Sequence, residues 1–107
     1  MYKIFKMSNY EIKYENDEYY VIINYMDKDL SDIIGNYDTN KIKEITIKGK
    51  LKDKNDILSK CVNVEELIII DCENINDYWD YMNKMRSNAI IKGLKFKCIL
   101  KSSYANE

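Results

Sequence analysis

The chain has no histidine and no proline among its 107 residues, and only three glycines and one tryptophan. Without histidine it lacks the usual general base and the commonest transition-metal ligand, so most hydrolase and metalloenzyme mechanisms lose their ordinary parts. Gly35, Gly49 and Gly93 stand alone, which excludes a glycine-rich phosphate loop. Cys61, Cys72 and Cys98 form no CxxC pair, and two of them lie within or at the end of apolar runs. They read as reduced, mostly buried thiols rather than a disulfide framework or a zinc site. The longest apolar runs, Leu67 to Ile70 and Val21 to Ile23, are strand-sized and far too short to cross a bilayer. Met1 to Tyr10 alternates apolar and polar residues, so it lacks the unbroken apolar stretch of a secretory signal. These absences lead to the expectation of a cytoplasmic chain that is not an enzyme and carries no metal or cofactor.

What remains is ample for folding. Hydrophobic residues make up 46% and charged residues 33%, which suits one soluble domain spanning 1–107. Two tyrosine- and isoleucine-rich runs, Tyr10 to Tyr14 and Tyr19 to Tyr25, flank a polar turn and predict a β-hairpin, extended by an earlier strand at Tyr2 to Met7. Asp27 is placed to cap a short helix through Ile34, with Gly35 ending it in the left-handed conformation. Ile42 to Lys48 alternates as a strand. Asn55 then caps a short helix over Ile57, Leu58 and Cys61, and Val64 to Ile70 reads as a buried strand. Asn74 caps the longest helix, Ile75 to about Ser87, in which Ile75, Tyr78, Trp79, Met82 and Met85 form the core stripe. Leu94 to Leu100 is the last strand.

Strands separated by helices predict an α/β fold. Residues 1–40 supply the hairpin and a short helix, 41–101 a three-stranded parallel βαβαβ unit, and 102–107 a tail. The result is one mixed sheet covered by helices. An apolar-x-x-apolar-x-apolar pattern recurs at Ile42 to Ile47, Val64 to Ile69 and Ile91 to Phe96, with 22 and 27 residues between the middle positions, Ile45, Leu67 and Leu94. The middle copy, with Cys72 following, resembles the leucine-rich-repeat signature, which implies a repeat-like stacking of these strands.

The net charge of −1 conceals blocks. Residues 15–40 sum to −6, with Lys28 the only base; residues 41–60 carry seven lysines and sum to +4; residues 61–83 carry six acids and no base; residues 84–107 sum to +5. Such blocks can be solvated faces that neutralise one another. A functional reading needs one acidic surface, and the long helix offers it: Asp77, Asp80, Tyr81 and Lys84 share a stripe distinct from the apolar one. Aspartates beside a tyrosine suit a cationic partner such as the phosphate-binding cleft of a nuclease. The spacing of Asp27, Asp29 and Asp32 does not fit a calcium loop.

The run Glu73-Asn74-Ile75-Asn76-Asp77-Tyr78-Trp79-Asp80-Tyr81-Met82 resembles the inhibitory helix of barstar-type ribonuclease inhibitors, which carries a Glu-Asn-Leu segment followed by Trp-Asp. In that family the acid after the tryptophan plugs the nuclease active site, so the resemblance assigns that role to Asp80. The family's earlier helix acid falls on Asn76, and its preceding Tyr-Tyr-Gly is replaced by Ile70-Asp71-Cys72. More broadly, the chain resembles small bacterial immunity proteins, including those of contact-dependent inhibition systems. The resemblance implies a protein-binding inhibitor, monomeric before complex formation, that neutralises a basic toxin nuclease domain through Glu73, Asn76, Asp77, Asp80 and Tyr81. The alternative is a phage-encoded inhibitor of a host defence complex that mimics nucleic acid. Direct nucleic-acid binding through Lys41 to Lys60 is not expected, nor is membrane association.

Overall fold

Alternation of buried and exposed side chains sets the strands, and capping carboxylates set the first two helices. The structure, a computed structural model, describes residues 2–24, 28–72 and 79–101. In chain order the elements are β1 (Tyr2–Lys6), β2 (Tyr10–Glu15), β3 (Glu18–Ile23), α1 (Leu30–Ile34), a 3-10 turn (Thr39–Lys41), β4 (Ile42–Lys48), α2 (Ile57–Lys60), β5 (Glu66–Ile70), α3 (Trp79–Lys92) and β6 (Lys97–Lys101). The fold is α/β, with one six-stranded mixed sheet in the order β1-β2-β3-β4-β5-β6. The N-terminal hairpin is present: β1, β2 and β3 are antiparallel to one another in turn, and β3 then pairs in parallel with β4, β4 with β5, and β5 with β6. The parallel part therefore holds four strands rather than three, because the second strand of the expected hairpin belongs to both halves.

The β2–β3 turn is made by Asn16 and Asp17, whose φ values of 53° and 63° are the positive pair that a two-residue hairpin of matching twist requires. Asp17 is further held by the Tyr14 hydroxyl at 2.6 Å and the Lys41 ammonium at 2.9 Å.

Successive strand residues point to opposite faces, so the register decides which isoleucines are buried. Ile12, Val21, Ile45, Leu67 and Cys98 stand side by side across β2 to β6, and Tyr10, Ile23, Ile47, Ile69 and Leu100 form the next row. Buried members of these rows join Leu30, Ile33 and Ile34 of α1, Ile57 and Leu58 of α2, and Met82 and Met85 of α3 in one core. The helices thus cover a single face. The opposite face carries Lys13, Tyr20, Glu44 and Glu66 in one row and Ile22, Thr46, Ile68 and Ile99 in the next. β5 is accordingly not buried on both sides: Leu67 and Ile69 are buried, whereas Ile68 and Ile70 are only half-buried.

Several boundaries differ from the sequence reading. Helix α1 is capped by Asp29, whose carboxylate accepts from the Ser31 N–H at 3.2 Å and the Lys54 N–H at 2.8 Å; Asp27 and Tyr25 lie outside the described residues. Burial raises the Asp29 carboxyl, but these N–H donors outweigh it and hold the group below its ordinary value. Gly35 is right-handed, at φ −63°, and a Cβ there would collide with the Ser31 carbonyl oxygen. Helix α2 starts after Asp56, and its amides are capped by Asp53, not Asn55. The Asp53 carboxylate accepts from the Ile57 N–H at 2.8 Å and the Leu58 N–H at 3.1 Å.

Helix α3 runs on to Lys92 and stops at Gly93, where φ is +69° and Leu94 N–H donates to the Ala89 carbonyl at 2.8 Å. The third copy of the repeat is consequently out of register. Leu67 pairs with Cys98, not Leu94, while Ile45 with Leu67 and Ile47 with Ile69 align as the first two copies predict.

Asp53 is the one buried charged residue among those described. Removing it strands two helix amides, so Asp53→Ala is expected to lower unfolding stability by roughly 1–3 kcal/mol, read as a shift in the urea midpoint.

Candidate functional site

Helix α3 buries Met82, Met85 and Ala89 and turns the opposite stripe outward. Asp80, Asn83, Lys84, Ser87 and Asn88, spaced i, i+3, i+4, i+7 and i+8, line an open polar groove of about 620 Å³ together with Ser59 of α2. Each of these lining residues is of a polar or charged type, and the acid sits at the N-terminal end of the described helix. Lys84 is not available as a free cation within it, because its ammonium lies 3.3 Å from Oδ2 of Asp56. That Asp56 is itself constrained: its φ is +53°, and its buried Oδ1 has no hydrogen-bond partner among the described residues.

Of the residues expected to form the interface, Asp80 is exposed in the first turn of α3 and lines the groove. Tyr81 falls within the span of α3. Glu73, Asn76 and Asp77 lie outside the described residues, as does the expected cap Asn74. Trp79 is a correction. The i, i+3 spacing to Met82 suggested core, yet Trp79 is 48% exposed at the start of the helix while Met82 and Met85 carry the burial. An exposed tryptophan next to an exposed aspartate that lines an open groove is a surface that can recognise another molecule.

The charge blocks are interleaved in space. Lys41 meets Asp17 at 2.9 Å and Lys43 meets Glu65 at 3.2 Å, and each of these pairs joins blocks of opposite sign, while Lys84 meets Asp56 across two basic blocks. These contacts are solvent-accessible, so each adds little stability. Their effect is to break up the large single-sign surfaces that the linear blocks suggested.

Like charges do meet on the open sheet face: Glu15 and Glu18 stand in direct register on β2 and β3, and Glu44 and Glu66 on β4 and β5. Burial pushes the Glu44 carboxyl above its ordinary value, and the charges of Glu66 and Glu65 push it further. The superposed copies Ile42-Lys-Glu-Ile45 and Val64-Glu-Glu-Leu67 already aligned these two glutamates, so the signal was present in the sequence.

The cysteines stay apart from this surface chemistry. All three are free thiols; Cys61 is buried, and burial pushes its thiol up to about 12, while Cys72 and Cys98 are half-buried. Among the described residues no three His, Cys, Asp or Glu side chains gather as a metal site, and no helix is long and apolar enough to cross a membrane.

The Glu44–Glu66 contact has a pH signature. A raised carboxyl pKa means that ionisation costs the folded state, a penalty complete above the folded pKa and absent below the unfolded one near 4.3. Glu44→Gln is therefore expected to stabilise the protein at pH 7 by about 0.5 kcal/mol, a figure reduced for solvent screening, and to lose that advantage near pH 4. Paired urea titrations at the two pH values check it. No protein-family model, curated protein or solved structure matches the chain.

Proposed function

We propose that this protein is a binding inhibitor of the immunity type, which neutralises a basic nuclease toxin domain in the cytoplasm through the N-terminal end of α3. The observation that carries this reading is the exposed Trp79–Asp80 pair, of which Asp80 lines the groove. Tryptophan is the residue most enriched among interface hot spots, and a carboxylate beside it supplies the charge that a cationic active site selects. Asp80 faces the partner's catalytic cations in this reading. Trp79 and Tyr81 supply rigid contact area at low entropic cost, Asp77 adds charge, and Glu73 and Asn76 complete the edge of the interface.

Support also comes from the sequence match to the barstar-type inhibitory segment, in which Trp79 and Asp80 are the two matching residues that α3 contains. The second reading, a nucleic-acid mimic directed at a host defence complex, needs a broad acidic surface. The interleaved pairs Lys41–Asp17, Lys43–Glu65 and Lys84–Asp56 disfavour it.

The test is co-expression with a nuclease domain, if one is encoded directly upstream of this chain in its source genome; an upstream region without a toxin reading frame counts against the reading. The wild-type chain is expected to restore growth and to bind the purified toxin domain. Asp80→Lys is expected to weaken that binding at least 30-fold, the equivalent of about 2 kcal/mol at a hot spot. A wild-type chain that neither rescues nor binds overturns the function, and binding indifferent to Asp80→Lys and Trp79→Ala overturns the interface.

A further inference from the structure

Strand β1 is one edge of the sheet, and among the described residues no further strand pairs with it. Its five residues pair with β2 without a bulge, every one of them is exposed, and no proline interrupts the edge. Natural edges are blunted by bulges, proline or lysine, because unpaired N–H and C=O groups invite another strand, and of these β1 carries only Lys3 and Lys6. The segment also concentrates exposed apolar side chains: Tyr2 at 54%, Ile4 at 46%, Phe5 at 39% and Met7 at 58%.

The direction of the free backbone groups follows from the hairpin. Met7 N–H donates to the Tyr10 carbonyl at 2.9 Å, which makes Met7 and Tyr10 a hydrogen-bonded pair. Such pairs alternate along an antiparallel ladder, so Phe5 with Ile12 and Lys3 with Tyr14 are bonded to β2. The amides and carbonyls of Tyr2, Ile4 and Lys6 therefore point away from the sheet.

From this geometry we infer that β1 pairs antiparallel with β1 of a second copy of the chain, about a two-fold axis through Ile4. In that register Ile4 faces the partner's Ile4, Tyr2 faces the partner's Lys6, and Lys6 faces the partner's Tyr2. All three outward-facing residues thereby pair with outward-facing residues, and each pair exchanges both of its hydrogen bonds. Charge agrees with it. Lys3 falls opposite the partner's Phe5, and no lysine faces a lysine. Tyr2 already accepts a cation on this face, with the Lys13 ammonium 5.1 Å from its ring centre, and Lys6 of the partner reaches the same environment.

The other edge behaves oppositely. Self-pairing of β6 about Ile99 sets Lys97 against the partner's Lys101 on both sides, and like charges directly opposite repel. The dimer continues the sheet from six strands to twice that number and leaves α3, at the β6 end, clear of the contact. A monomer, the state expected from the sequence, is the opposing outcome.

Sedimentation of the full chain between about 10 µM and about 1 mM, the range in which a small interface associates, tests this directly. The mass is expected to rise from 12.8 kDa toward twice that value. Ile4→Pro removes only an outward N–H, which an edge strand tolerates, so this variant is expected to keep its circular dichroism spectrum and remain monomeric throughout. Ile4→Cys is expected to form a covalent dimer on oxidation that neither the unsubstituted chain nor Phe5→Cys forms. A chain that stays at 12.8 kDa at the highest concentration overturns the inference. So does a dimer that survives Ile4→Pro, or growth beyond a dimer, which is the mark of β1 pairing with β6.

Discussion

The registration of one row of side chains, Ile12, Val21, Ile45, Leu67 and Cys98, governs the molecule. Because strand side chains alternate, a slip of one residue would carry a strand's core side chain to the open face, and in one direction would put Lys13, Tyr20, Glu44, Glu66 or Lys97 in its place. The row also fixes where the helices go. Leu30, Ile33 and Ile34, Ile57 and Leu58, and Met82 and Met85 all need apolar cover, and the sheet offers it on one side only. A two-layer architecture with one bare sheet face follows from that choice.

The same constraint explains which parts of the fold were legible in the sequence. The strands at Tyr10, Ile42 and Val64 carry clear alternation, and the hairpin, the parallel pairing of Ile45 with Leu67 and the presence of a long third helix follow from local patterns. Three features depend on signals that compete with those patterns. Leu94 and Phe96 fit the repeat, yet Gly93 is a helix stop whose positive φ delays the last strand to Lys97. Asn55 is a good capping residue, yet Asp53, two positions earlier, reaches the same amides through a left-handed Asp56. Trp79 has helical spacing to Met82, but at the start of α3 its side chain is half exposed. Local pattern cannot register such tertiary choices, because each depends on what lies above the residue in space.

For the candidate site the balance is different. Asp80 was legible as an exposed acid on a helix, and its neighbours Asn83, Ser87 and Asn88 follow from the same periodicity. The polar groove was not, since Ser59 reaches it from α2 and no spacing in the sequence joins Ser59 to Asp80. The charge blocks were legible as blocks, but their meaning lay in the fold. Lys41 finds Asp17 and Lys43 finds Glu65, so opposite blocks are brought together. A charge pattern along the chain therefore speaks about a surface only once the strand order is known.

That strand order is strictly that of the chain. Each strand from β2 onward is laid against the one that precedes it, so no strand waits for a distant segment to complete its pairing. Loop closure is then paid in short instalments, and the sheet can grow from its N-terminal side while the remainder of the chain is still being synthesised. The bare backbone of the newest strand is offered next to the segment that immediately follows. Folding during translation becomes a matter of successive addition, with the C-terminal strand as the last piece.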